Sequence, residues 1–265
     1  LGSSILFLGS GGARFVVARQ LRASGGMWMR FGATQIHVDP GPGALVRALS
    51  HVPPCNPREL DGIVLSHKHL DHSCDVNALI EAMTSGGFRP RGTLLAPADA
   101  FEMEPVVLPY ARRFVERIEY LEPSSGPYAI GDVDVYTSMQ HVHAVQTHGL
   151  IFVYGELRVA YLPCGRYFEK LAGDYAKYRP DVLIINVLRY RDEMNVDHFT
   201  WPDARRVVAE VRPSVVVFQH FGTKMLEADP PKLAQRLEDE LELRAIAAYD
   251  GLVVDLETEV AAAAS

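Results

Sequence analysis

Two very short turns constrain this chain more than any other feature. Met27–Phe31 and Thr34–Val38 are apolar runs separated only by Gly32-Ala33, and Leu150–Tyr154 and Leu157–Leu162 only by Gly155-Glu156. Each spacing predicts a two-residue hairpin and therefore antiparallel strands. Elsewhere, short apolar runs alternate with amphipathic stretches. Further strands are predicted at Ile5–Leu8, Gly62–Ser66, Thr93–Ala96, Val133–Ser138, Asp181–Val187, Ser214–Phe218 and Ala245–Asp255. Helices are predicted at Gly43–Ser50, Asp75–Thr84, Ala98–Arg113, Phe168–Tyr178, Trp201–Val211 and Pro231–Leu243. Alternating strands and helices imply a layered α/β protein, and the hairpins exclude a purely parallel, doubly wound sheet. The expected architecture is two mixed β-sheets packed face to face with helices on the outside. The expected organisation is one unit over residues 1–265, with pseudo-halves of about 1–135 and 136–265.

Composition narrows the function classes. With 265 residues, 48% of them hydrophobic, the chain has ample core to fold without staples. Its longest apolar run, Val182–Leu188, is far short of the roughly 18 residues that a membrane helix needs. Cys55, Cys74 and Cys164 are an odd number, which argues against a disulfide framework and for a reducing, cytoplasmic setting. A net charge of −7 excludes coating nucleic acid through bulk charge, but leaves room for a locally positive cleft.

Ten histidines stand out, and several are crowded together. The apolar run Gly62-Ile63-Val64-Leu65 gives way to Ser66-His67-Lys68-His69-Leu70-Asp71-His72. Imidazole nitrogens and a carboxylate are ligands that suit zinc. In an extended stretch His67 and His69 share one face and can chelate one ion, while Asp71 and His72 in the following turn can reach a second. A solvated polar loop is the plain alternative. The pattern H-x-H-x-D-H arises by chance on the order of once in a thousand chains of this size, which favours metal binding.

H-x-H-x-D-H after an apolar strand resembles the signature of the metallo-β-lactamase superfamily, and the resemblance extends along nearly the whole chain. It implies an αβ/βα sandwich of two mixed sheets. Asp39-Pro40-Gly41 resembles the Asp-containing turn that supports the metal loop, although a plain turn explains it equally well. The family expects another His, then an Asp and a final His, each at a strand end. His141, His143 and His148 are the candidates for the first; His143, six residues before Gly149, is preferred. His220, after Val215–Gln219, is the candidate for the last. Where phosphodiester-cleaving members have a metal-bridging Asp, this chain has Cys164. The departure leaves two readings: a thiolate ligand, or a buried apolar Cys with a weakened site. The implied ligand set is His67, His69, Asp71, His72, His143, Cys164 and His220. Two zinc ions are expected, with manganese or iron as alternatives.

Asp197-His198-Phe199-Thr200 resembles the His-Ser-Thr stretch of ribonuclease Z-like phosphodiesterases, which makes His198 a candidate acid for the leaving oxygen. Asp71 and His198 are the candidate catalytic residues. Ala247-Ala248-Tyr249-Asp250-Gly251 also resembles hydrolases of this group. The interval from His143 to Cys164 holds one hairpin and leaves no room for a tRNA-grasping arm, so long tRNA-type binding is not expected. Arg112, Arg113, Arg189 and Arg191 could meet phosphates, but such charges usually sit on solvated faces. The resemblance implies a hydrolase using zinc-activated hydroxide on a small or nucleotide phosphodiester. Hydrolysis of a lactone, thioester or amide is the second reading, and a non-catalytic metal-stabilised binding module the third. No membrane partner is expected, and a homodimer is the default oligomer.

Overall fold

The computed structural model describes residues 2–191 and 196–263. Two seven-stranded mixed sheets face one another. The first contains β1 (Ser4–Phe7), β2 (Met27–Phe31), β3 (Thr34–Val38), β4 (Gly62–Val64), β5 (Thr93–Pro97) and β6 (Arg117–Leu121). The second contains β7 (Tyr128–Ile130), β8 (Val133–Gln140), β9 (His148–Tyr154), β10 (Leu157–Leu162), β11 (Val182–Asn186), β12 (Val215–Gln219) and β13 (Arg244–Ala247). The last strand, β14 (Val253–Asp255), crosses back to pair antiparallel with β1. Both predicted hairpins form, with Phe31 opposite Thr34 and Tyr154 opposite Leu157.

The inner faces of both sheets share one apolar core, in which Phe7, Met29, Phe31, Ile36, Phe152 and Ile184 are fully buried. On the outer face of the first sheet pack helices 44–50 and 76–83; on that of the second pack helices 171–176, 201–211 and 230–241. Helix 201–211 starts where the sequence places it. The Thr200 hydroxyl accepts from the Asp203 amide, and the Asp203 carboxylate accepts from the Thr200 amide.

Some predicted elements differ. Ala245–Asp255 is not one strand: Gly251, with φ of +89°, turns the chain from β13 in one sheet to β14 in the other. The predicted helix over 98–113 survives only as a 3₁₀ turn at Ala98–Ala100 and a single turn at Pro109–Arg112, because Pro105 and Pro109 interrupt the ladder. Helices at Ala13–Ala18 and Thr223–Glu227, and strands β6 and β7, were not anticipated. A further helix covers Leu256–Ala263, and residues 264 and 265 lie outside the described residues. No helix among the described residues is long and apolar enough to cross a membrane.

Parallel pairing of β3, β4 and β5 in one sheet, and of β10, β11 and β12 in the other, aligns their C-terminal ends. The loops that follow β3, β4, β10 and β12 meet at one rim of the sandwich, together with the loop between β8 and β9 and with residues 196–200.

Candidate metal centre

At this rim the donor atoms of His67, His69 and His143 lie within 4.8 Å of one another, and so do those of Asp71, His72 and His220. The β4 loop thus supplies two residues to each triad. Loop 141–147 completes the first, and the end of β12 completes the second.

His67 is fully buried. Ser66 Oγ lies 2.6 Å from Asp39 Oδ2 and donates to it; His67 Nδ1–H can then donate to Ser66 Oγ at 2.9 Å. That arrangement fixes the tautomer and leaves Nε2 as a bare lone pair. Nε2 is buried and has no hydrogen-bond partner among the described residues. His143 is oriented likewise: Nδ1 donates to the Asp197 carbonyl at 2.8 Å, and Nε2 faces His69 Nδ1 at 3.1 Å. Burial pushes all three imidazoles down, His67 to about 4, so they are neutral donors at pH 7.

The second triad is charged. Burial disfavours the Asp71 anion, but His72 and His220 outweigh it and hold the carboxyl well below the usual range. Ala13 N–H also donates to Asp71 Oδ2 at 3.1 Å. His72 Nδ1 donates to Asp39 Oδ2 at 2.9 Å, so its Nε2 points at His220 Nε2, 2.9 Å away. At that distance the two nitrogens share either a proton, held on one ring and accepted by the other, or a metal ion that both rings ligate. Against burial, the neighbouring anions pull His72 up and raise His220 to about 9.

Cys164 lies against both groups. It is 2% exposed, and its Sγ is 3.6 Å from the Nε2 atoms of His72 and His220 and 3.6 Å from Asn186 Nδ2. Burial opposes its thiolate, but His220, His72 and His198 hold the thiol well below its ordinary value. A buried thiol held low, a half-buried carboxylate, two facing imidazole nitrogens and an orphaned third together fit divalent metal ions.

The remaining candidates separate cleanly. His198 has a donor atom within 4.8 Å of those of His143 and Cys164, and its ring is stacked with His220 at 6.3 Å. His141 has both nitrogens engaged, by the Cys164 carbonyl at 3.0 Å and the Tyr175 hydroxyl at 2.9 Å, and belongs to neither triad. His148 is buried in β9, also outside the triads, where burial lowers it to about 4. Arg112 is committed to the Phe101 and Val107 carbonyls.

The bracing residues were mostly unforeseen. Asp39, at φ of +53°, accepts from the Ser66 amide, Ser66 Oγ, His72 Nδ1 and the Tyr161 hydroxyl. Of these, only Asp39 carries a sequence signal, its Asp-Pro-Gly turn. Gly12 abuts His220 so closely that a Cβ there would lie 2.1 Å from Nδ1. Asp250 fixes the loop that carries Gly12, accepting from the Ser10 amide and hydroxyl and from the Ala23 amide.

Residues 34–221 match the model of the β-lactamase superfamily domain. An uncharacterised protein of Methanocaldococcus jannaschii, MJ1374, is 29% identical over 95% of this chain and 94% of its own length. Among solved structures, the metallo-β-lactamase fold protein YhfI from Bacillus subtilis superposes with a TM-score of 0.73 at 19% identity, covering 96% of this chain and 99% of that one. The short form of human tRNase Z gives 0.71 at 14%, covering 96% and 99%. A diphosphatase of the PhnP family gives 0.67 at 18%, covering 96% and 97%.

Proposed function

The chain belongs to the metallo-β-lactamase superfamily, and we propose that it is a metal-dependent hydrolase of a small or nucleotide phosphodiester. The observation that carries this reading is the pair of adjoining triads at one rim, with His67 Nε2 bare and buried beside them. In this reading His67, His69 and His143 hold one ion, and Asp71, His72 and His220 hold the other, with Cys164 in contact. Zinc is the metal proposed, and such ions lower the pKa of water and polarise the oxygen of the ester under attack. The protein groups do the rest. Ser66, Asp39 and the Asp197 carbonyl fix which nitrogen of His67, His72 and His143 is free to bind. Asp71, placed in the second triad beside the first, would orient the attacking water. His198, beside His143 and Cys164, donates the proton to the leaving oxygen.

Support for phosphoester chemistry comes from likeness to a diphosphatase and a tRNase Z. The stretch from His143 to Cys164 is filled by the β9–β10 hairpin, which argues for a compact substrate rather than a gripped tRNA. Free Cys55, Cys74 and Cys164 support a reducing, cytoplasmic setting.

The test is chelator-stripped protein reloaded with zinc or manganese and offered bis-aryl phosphates. Turnover is expected, and His198→Ala should slow it on the order of 10²-fold with a poor leaving group and less with a nitrophenolate. Turnover confined to lactams, lactones, thioesters or amides would replace the phosphodiester reading. Two bound ions with no turnover of any substrate would favour a binding module.

A further inference from the structure

We propose that the Cys164 sulfur is shared between the two triads, joining both ions through one thiolate and biasing the centre toward soft, thiophilic metals. The proposal rests on the metal-centre reading above and adds to it the sulfur's position and consequence. His67 belongs to the first triad and His72 to the second, yet the donor atoms of His67, His72 and Cys164 all lie within 4.8 Å of one another. On the other side, His143 of the first triad and His198 form a second such group with Cys164. The sulfur also lies 3.6 Å from His220 Nε2. It is therefore near donors of both triads, rather than behind one of them.

The surroundings fit an anion in that place. Sγ is buried, and its other polar neighbour is a donor, Asn186 Nδ2, which also donates to the Tyr161 hydroxyl. Asp71 lies in the second triad, so Cys164 is the anionic side chain placed to serve both. A thiolate shared by two cations offsets charge on each with a single residue. Thiolate ligands favour zinc and cadmium over manganese and magnesium, which prefer oxygen. The sulfur should therefore govern which metals the whole centre accepts.

The experiment uses full-length protein stripped of metal and loaded with ¹¹³Cd, read by ¹¹³Cd NMR. Two resonances are expected, both shifted downfield by sulfur and split by coupling to each other. In Cys164→Ser both should move upfield and the splitting should vanish. In Cys164→Asp the preference for cadmium over manganese, measured by competition, should fall on the order of 10- to 100-fold. If only one resonance moves in Cys164→Ser, the sulfur serves one ion and the sharing is wrong, while the metal centre stands. If neither moves, Cys164 is not a ligand. If the wild-type protein binds no cadmium, the metal-centre reading itself fails. Should the variants not fold, the wild-type spectrum decides: mutual splitting supports the shared sulfur, and two unsplit resonances overturn it.

Discussion

His67, His69 and His143 form a triad of neutral imidazoles, whereas Asp71, His72 and His220 form one that carries charge in both signs. The two draw on the same six-residue stretch of the β4 loop but meet opposite electrostatic problems. In the first, burial above all, with help from neighbouring imidazoles, pushes the rings toward neutrality, and the lone pairs of His67 and His143 are each freed by a single hydrogen bond behind the ring. In the second, burial is outweighed by Asp71, Asp39 and Cys164, which draw protons onto His72 and His220. The first group needs orienting; the second needs bracing, because charges in a dry pocket hold together only while every partner is present. The bracing is correspondingly heavier. Asp39 anchors His72, Ala13 N–H meets Asp71, and Gly12 makes room for His220.

The largest break in this comparison is expected from Asp39→Ala. It strands the Ser66 amide and hydroxyl, the Tyr161 hydroxyl and His72 Nδ1 together. Loss of a buried charge partner of this kind costs about 3–5 kcal/mol. Chemical denaturation should show that loss, and metal analysis should show the second triad emptied. An unchanged midpoint with full metal content would show that Asp39 is only a turn residue.

The two triads were also unequally legible in the sequence. Four of the six donors sit in one local pattern, so a reader of residues 62–72 meets them at once. His143 and His141 share parity in an extended segment, and only the six-residue spacing of His143 from Gly149, which the family resemblance supplies, separates them. The structure does so by satisfaction: both nitrogens of His141 are occupied by the Cys164 carbonyl and the Tyr175 hydroxyl. Ser66, Tyr161, Asn186 and Asp250 are ordinary residue types whose roles come from partners up to 240 positions away. The hairpins were visible because two-residue turns are encoded locally. The split of residues 245–255 between two sheets was not, since each piece is apolar enough for either; only Asp250-Gly251 marks the turn.

Acid and alkali should separate the triads next, by less than Asp39→Ala because one proton is at stake rather than four hydrogen bonds. In stripped protein, His67 is lowered from 6.5 to about 4. The unfolded chain then binds more protons between those values, so stability is full above pH 6.5 and drains away as pH falls toward 4. His220 is raised from 6.5 to about 9, so its contribution is full below 6.5 and is lost as pH rises through 9. Thermal midpoints against pH should therefore fall on both limbs. His220→Gln should make the alkaline limb, which His72 shares, shallower and leave the part of the acid limb that His67 sets; an alkaline limb unchanged in the variant would show that His220 does not carry that loss.

Gly12→Ala should act on the second triad alone. Its Cβ overlaps the His220 ring, and displacement of a packed side chain costs about 1–3 kcal/mol. Metal analysis should fall from about two ions per chain to about one, with the first triad still filled. Retention of both would show that the loop held by Asp250 can move aside.

The smallest effect is expected from Ser66→Ala, and it tests the lighter side of the comparison. The variant removes the hydroxyl between Asp39 and His67 but keeps the Ser66 amide bond to Asp39. A single hydrogen bond of this kind contributes about 1 kcal/mol. His67 would lose the group that selects its tautomer, so its ring would be free to carry the proton on Nε2. Metal affinity of the first triad should drop on the order of 10- to 100-fold, as for other groups that orient a ligand from behind. The second triad should be spared, because Asp39 still holds His72 directly. Competition with a chelator, following each ion separately, would show whether the weakening is confined in this way. Equal weakening of both ions would mean that Asp39 transmits every change at Ser66 to His72, and that the two triads share one brace.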